Sequence, residues 1–423
     1  MATSSSKRAP TRRKYDVVLY GATGFVGRQT VAYFAGLRPS VHKQVRWALA
    51  GRSAAKLNEV KAACGAGASN ADVIVADAQD TKALDALARS AKVVLSTAGP
   101  FAVFGSALVA ACARNGTHYV DITGETPWVR EMIDEHEDVA SSTGARIIPF
   151  CGFDSVPSDL GAWLMNQAMQ EMHGEPCASV KSAVTMRGGV NGGTLASGIN
   201  MLASDAVKDF MQPFLLNPRD AAGLAGLPDD TSVDADPVLP AYDPDFRAWL
   251  VPFVMGPINT RVVRRSAALL GYGPQFHYQE YMRMGAGPIA AAAATGFCAG
   301  MAWSKFALRV PGVRQVTERL MPGPGKGPSE RSMDNGSYRC ELVAISPSGK
   351  RLRGKIADRG DPGNRATTKM VCEAALCLAL QLEDLPQAAG EGGFLTPASG
   401  LGDVLVSRLR AAGMTLVAGN EGG

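Results

Sequence analysis

The 423-residue chain lacks most of the short motifs from which chemistry is read directly. Its eight cysteines, at 64, 112, 151, 177, 298, 340, 372 and 377, never fall as Cys-x-x-Cys. Neither a zinc ribbon nor a thioredoxin motif is therefore indicated, and free thiols in a reducing compartment are expected. The five histidines are scattered, with no His-Glu-x-x-His, and no metal site is expected. None of the nine tyrosines has a lysine four residues on. That excludes the short-chain dehydrogenases, in which such a Lys lowers the pKa of the acid Tyr. Gly-x-Ser-x-Gly and the Walker A Gly-Lys-Ser/Thr are absent too, which removes serine hydrolases and P-loop enzymes.

Excess charge is also missing from the body of the protein. The net charge is +4, but residues 1–14 hold five basic groups and no acid; without them 38 basic residues face 39 acidic ones. No basic surface argues for nucleic acid. The same tail has no apolar core for a signal peptide and is expected to be disordered. A cytoplasmic protein follows, with organelle targeting left open.

What is present is a strand–helix rhythm over the first 150 residues. Apolar runs at 15–20, 45–51, 72–77, 92–99, 118–122 and 145–150 alternate with helix-like stretches near 24–36, 53–63, 80–90, 104–115 and 127–143. Strands that are apolar throughout are buried on both faces, so the expected fold class is α/β, a Rossmann-type doubly wound parallel sheet over 15–150. After Phe150 the rhythm breaks. Helices are expected over 158–172 and 194–211, and strands over 178–187, 275–284, 337–347 and 350–358, the last two joined by a hairpin at "SPSG". We read 151–363 as an α+β substrate domain, and 364–423 as a C-terminal helical segment packing back on the first domain. Residues 284–304 carry no charge for 21 positions but are mostly Ala and Gly. That favours a buried or interfacial helix over a membrane span and leaves a peripheral membrane contact open. A homodimer also stays open.

The first strand runs into "YGATGFVGR" (20–28). Gly21, Gly24 and Gly27 after a strand and opening a helix suit a tight turn, close approach of a pyrophosphate, and close helix packing. Thr23, Phe25 and Val26 belong to the same cradle. The second strand ends in Arg52 and Ser53 with no acid before Glu59. A guanidinium and a hydroxyl suit a 2′-phosphate, which points to NADP. Asp77, ending the third strand, is a candidate for the adenine amino group; Ala98, Gly99 and Pro100, after the fourth, are small or rigid enough for a cofactor to lie against. The fifth and sixth strands end in "DITGE" (121–125) and "CGFDSVPSD" (151–159). These should face the reacting end, with Asp154, Ser155 and Tyr119 as candidate proton donors. Ser158 also reads as a helix N-cap, and Asp121 and Glu125 as ribose ligands or loop organisers. Cys151 is a weaker candidate nucleophile.

Taken in order, "GATGFVG", "STAGPF", "YVDITGE", "GFDSVPSDLG", "GGTLASGI" (192–199) and "GGFLTPASGLGDVLVSRLRAAG" (392–413) resemble the saccharopine dehydrogenase-like oxidoreductases, nearest their trans-acting enoyl reductase branch. The resemblance spans Tyr15–Gly413. It implies an NADP-binding Rossmann domain, a substrate domain, and hydride transfer to an enoyl or related acyl or lipid-like substrate. Saccharopine carries several carboxylates, and Lys181 and Arg187 are candidate partners for them, but the segments 96–105, 121–128 and 151–161 hold no counter-charge. An NADP-binding sensor or membrane scaffold without catalysis is the reading from a different class. A saccharopine-type or Cys151-dependent semialdehyde dehydrogenase is the third.

Overall fold

The computed structural model describes residues 13–188, 210–220, 223–307, 312, 327–387 and 392–420. The tail before Arg13, the motif at 192–199 and all but the last two residues of the helix expected over 194–211 lie outside the described residues.

The first sheet forms as its strands require. β1 (Tyr15–Tyr20), β2 (Trp47–Gly51), β3 (Asp72–Val75), β4 (Ala91–Ser96), β5 (His118–Asp121) and β6 (Arg146–Ile148) pair in parallel in the order β6-β5-β4-β1-β2-β3. The order reverses between β1 and β4, and a crevice for a ligand opens at such a reversal. Val17, Leu19, Leu49 and Leu95 pack towards one face, while Val18, Ala48 and Val94 pack towards the other. Both faces are covered, so these strands show no polar alternation. Each fully buried Leu or Val contributes roughly 2 kcal/mol. Five helices alternate with the strands: α1 (Phe25–Ala35), α2 (Ala54–Ala63), α3 (Thr81–Ser90), α4 (Ser106–Asn115) and α5 (Thr126–Thr143).

The second sheet is mixed. β7 (Ser179–Arg187) lies at its centre, parallel to β10 (His277–Gly285) on one side and antiparallel to β11 (Ser337–Ile345) on the other. β8 (Ala241–Asp243) and β9 (Ala248–Pro252) extend it beyond β10, and β12 (Arg351–Arg359) beyond β11. The expected β11–β12 hairpin closes with the Ser346 amide donating to the Lys350 carbonyl at 2.9 Å. α6 (Val156–His173) packs on this sheet through Gly161, where a Cβ would sit 3.0 Å from Leu342 Cδ1.

Some elements were not expected. α7 (Gly256–Leu270) carries Arg261, Arg264 and Arg265. All three are buried, and they donate to the carbonyls of Gln212, Pro213 and Leu216 respectively. The C-terminal segment is shared between the sheets rather than docking on the first alone. α9 (Thr367–Leu380) packs on α1 and β4, and β13 (Gly393–Phe394) extends the first sheet beyond β6. After α10 (Pro397–Ala411), β14 (Thr415–Asn420) pairs with β12 at the edge of the second sheet. The turn at Gly413, with φ of 93°, redirects the chain there, and helical periodicity alone does not anticipate it. α8 (Gly287–Ala307) buries Ala290, Ala294 and Cys298, the latter two against Val251 of β9. Among the described residues no helix is long and apolar enough to cross a membrane.

Candidate active site

The glycine turn leaves no room for side chains. Gly21 has φ of 82°, and a Cβ there would lie 2.8 Å from the Ala98 amide nitrogen. At Gly27 a Cβ would lie 2.1 Å from the Gly21 carbonyl oxygen. The first glycine therefore allows β1 to approach the end of β4, and the third allows α1 to pack onto the turn. Gly24 is the N-cap of α1; it makes no side-chain cap, and no acid stands in the first turn. The amides and the positive end of the helix dipole are left for an anion. Thr23, Phe25 and Val26 complete this turn, and the Thr23 carbonyl accepts from Arg28 Nε at 3.1 Å. The Thr97 amide donates to the Tyr20 carbonyl at 2.9 Å, which holds Ala98, Gly99 and Pro100 beside the turn; the Gly99–Pro100 bond is cis.

At the β2 and β3 ends, Arg52 and Asp77 are exposed and both act electrostatically on the buried Tyr20 hydroxyl. Burial, then Asp77, push that hydroxyl up to about 12, while Arg52 opposes them. Ser53 caps α2, accepting from the Lys56 amide at 3.4 Å, and Asp77 Oδ1 accepts from the Gln79 amide at 2.9 Å. Each thus has a local role beside the ligand role expected for it. The cradle fits a dinucleotide: its glycines admit no Cβ, its helix end is uncapped, and an exposed guanidinium stands where an NAD site carries an acid.

The β5 and β6 ends differ in character, being crowded with carboxylates. Asp121 is fully buried and accepts from the Tyr119 hydroxyl at 2.9 Å, the Thr123 amide at 3.0 Å and the Phe150 amide at 3.2 Å. Burial pushes its carboxyl up to about 7 and the Tyr119 hydroxyl well above its ordinary value. Tyr119 is itself fully buried, with its proton committed to Asp121. Glu125 accepts from the amides of Phe101 and Ala102, both at 2.9 Å, and so caps the turn after Pro100. Both acids organise loops in this structure.

Asp154 stands apart. It is partly exposed and makes no hydrogen bond or ion pair among the described residues. It stands beside Gly124: a Cβ at that glycine would lie 3.8 Å from Asp154 Oδ2 and 3.0 Å from Ile258 Cδ1. Burial alone pushes its carboxyl up to about 7. The neighbouring Phe153 amide donates to Thr367 Oγ1 at 3.1 Å, anchoring the turn to α9.

Ser155, the N-cap of α6, is fully buried. Its hydroxyl donates to Asn259 Oδ1 at 3.1 Å, and Asn259 Nδ2 donates to Glu280 Oε1 at 2.6 Å. Glu280 Oε2 accepts from Ser158 at 2.7 Å and from Tyr278 at 2.9 Å. Ser158 therefore sits inside α6 bonding to β10, not at the cap expected for it. Pro157 fits the first turn without an amide to lose, so the helix starts earlier, at Val156. Asp159 accepts from Ser266 at 2.5 Å and from the Ala398 amide at 2.8 Å, joining α6, α7 and α10. The Cys151 thiol is fully buried, donates to the Ile148 carbonyl at 3.3 Å and is pushed well above its ordinary pKa; an inert thiol of this kind makes no nucleophile. Gly124, Ile258, Asn259, Glu280 and Thr367 were not identified from the sequence. They come from four separate segments, and no local pattern marks them.

Lys181 pairs with Asp243 at 2.5 Å and Asp245 at 2.7 Å in the second sheet, and Arg187 ends β7 on its surface. Neither is among the contacts of Asp154.

Residues 17–148 match the family model of the saccharopine dehydrogenase NADP-binding domain. A Mycobacterium tuberculosis protein provisionally named a trans-acting enoyl reductase is 38% identical over 426 residues, covering 96% of this chain and 98% of its own. The trans-acting enoyl reductase of Mycobacterium leprae is 38% identical over 428 residues, with the same coverage. Among solved structures, apo saccharopine dehydrogenase (L-Glu forming) from Saccharomyces cerevisiae shares the fold, with a TM-score of 0.50 and 14% identity over 95% of this chain and 98% of that one.

Proposed function

The chain belongs to the trans-acting enoyl reductase family of saccharopine dehydrogenase-like proteins and is an NADP-dependent oxidoreductase acting on a small molecule; from that premise we propose that it reduces the carbon–carbon double bond of an enoyl or related acyl substrate, with Asp154 as proton donor. One observation carries the second half of this reading: Asp154 is the carboxyl at the β5 and β6 ends that has no partner among the described residues, yet is held protonated to about pH 7. Held at the Gly21–Gly27 turn with Arg52 beside its ribose, NADPH would supply the hydride for one alkene carbon. Asp154 gives its proton to the neighbouring carbon, and its carboxylate regains a proton from solvent, to which it is partly open. Asp121, Asp159, Glu125 and Glu280 all accept hydrogen bonds from the protein, and they hold the loops in which Asp154 stands. Ser155 positions the same turn through Asn259 rather than meeting substrate.

The absence of counter-charges in the segments at the strand ends supports an acyl or lipid-like substrate over saccharopine. The test is NADPH oxidation with enoyl thioesters and, separately, NADP+ reduction with saccharopine. Turnover of the thioester that is lost in Asp154→Asn, with NADPH binding kept, is the expected result. Turnover of saccharopine alone overturns the reading. A cytoplasmic protein with a peripheral contact through α8 belongs to the same proposal. Ile289 and Trp303 are 85% and 69% exposed on that helix, within the charge-free stretch 284–304, and co-sedimentation with lipid vesicles against sedimentation velocity of the protein alone separates a lipid contact from a homodimer.

A further inference from the structure

A cleft of about 660 Å³ lies on the second sheet rather than against the glycine turn. Arg187, Arg283, Arg339, Arg359 and Lys369 line it, against the carboxylates of Glu341 and Asp358. The pairing is incomplete. Lys369 is matched with Asp358 at 2.7 Å, while Arg283 and Arg339 share Glu341 at 4.0 and 3.8 Å. Arg187 and Arg359 have no ion pair among the described residues.

Strand register explains the shape. Ser337 of β11 is paired with Arg187 of β7 on one side and Arg359 of β12 on the other. In the next row of the same face, Arg339 is paired with Thr185 and Ala357. Small side chains thus form a floor between two arginines whose backbones are roughly 10 Å apart, two strand spacings. An anion between two guanidinium forks fits that gap, and arginine is suited to phosphate oxygens. Tyr338, between Ser337 and Arg339, turns its side chain to the opposite face of the sheet and is 3% exposed there. Its ring meets that of Phe153 edge-on at 4.7 Å, and Phe153 precedes Asp154 in the chain. The cleft and the turn that carries Asp154 therefore lie on opposite faces of β11.

We infer that this cleft is an anion site, separate from the dinucleotide cradle, that takes the phosphate group of a phosphate-bearing ligand. That the phosphate belongs to the substrate itself, on the handle of an acyl thioester, rests on the enoyl reading above; the anion site does not.

The experiment titrates pyrophosphate into the full chain with the cradle saturated by NADP+, for wild type and for Arg187→Ala combined with Arg359→Ala. Pyrophosphate binding that weakens about tenfold or more in the double variant, and weakens with salt in wild type, is expected. NADPH binding stays unchanged. Kinetics with the coenzyme A thioester of an enoyl acid and with its phosphate-free N-acetylcysteamine thioester then identify the source. A KM raised about tenfold for the first thioester only places the phosphate on the substrate. An unmoved KM with lost pyrophosphate binding assigns the site to a free phosphate compound. No pyrophosphate binding by wild type, or binding untouched by the substitutions, overturns the inference. So does saccharopine occupying the cleft where pyrophosphate does not. If neither thioester is turned over while pyrophosphate binds normally, the enoyl reading fails and the anion site stands.

Discussion

The two ends of the crevice are built on opposite plans. At the β1 end the chain removes side chains: Gly21, Gly24 and Gly27 present bare backbone and an uncapped helix terminus. At the β5 and β6 ends it crowds ionisable side chains together and neutralises them by burial. The second plan contains its own contrast. Asp154 and Asp159 lie five residues apart, and burial pushes both up to about 7. Asp159 accepts two hydrogen bonds and ties three helices; Asp154 accepts none among the described residues. A shifted pKa therefore does not by itself distinguish a structural carboxyl from a reactive one. The missing partner does.

The largest effect is expected at Asp154. Asp154→Asn should lower turnover by roughly 10²- to 10⁴-fold, the usual contribution of a positioned acid, with NADPH affinity unchanged. Wild-type kcat should fall as pH rises through about 7, because the donor must hold its proton. A pH profile flat to pH 9 would break the contrast between the two aspartates. Next comes Gly27→Ala, whose methyl would overlap the Gly21 carbonyl. NADPH binding, followed by nucleotide fluorescence, should weaken roughly 100-fold.

Asp159→Ala leaves the Ala398 amide and the Ser266 hydroxyl without their acceptor. It should cost about 2 kcal/mol in denaturant unfolding while the folded fraction keeps its turnover. Arg52→Ala should weaken NADPH binding about tenfold and leave NADH binding alone, sharpening the assignment of the β2 end.

The smallest effect is on stability at Asp154. A carboxyl raised above its unfolded value near 4 contributes stability that is fully present below pH 4 and lost as pH rises through about 7. Asp154→Asn should therefore be more stable than wild type at pH 8 by about 1 kcal/mol, discounted for its partial exposure. It should match wild type near pH 4. The sign is opposite to that of Asp159→Ala, and equal signs would mean that Asp154 too is a structural tie.

The cradle was legible because its physics is local. A turn that admits no Cβ needs glycines at fixed spacing, and an apolar run before it marks a buried strand. The six parallel strands of the first 150 residues were legible for the same reason, as was the "SPSG" hairpin. Around Asp154 legibility ended early. "DSVPSD" located the turn, but its residues could not be sorted without their partners: Ser158 reads as a cap and bonds to Glu280, and Tyr119 reads as an acid and is spent on Asp121. The arginines of α7 were not singled out, because the carbonyls they are buried on lie about fifty residues back in the chain. β14 escaped because its pairing partner lies some sixty residues back, in β12.

The sequence by itself determined that a dinucleotide is held, that the second strand ends in an arginine rather than an acid, and that the common Tyr–Lys chemistry is absent. These are properties of contiguous residues, fixed by covalent geometry and local charge. Only the tertiary structure decided which of four adjacent polar residues lacks a partner, and that arginines from separate strands converge over Ser337. Hydrogen-bond satisfaction and desolvation are set by segments a hundred residues apart, and they have no value until the chain has folded.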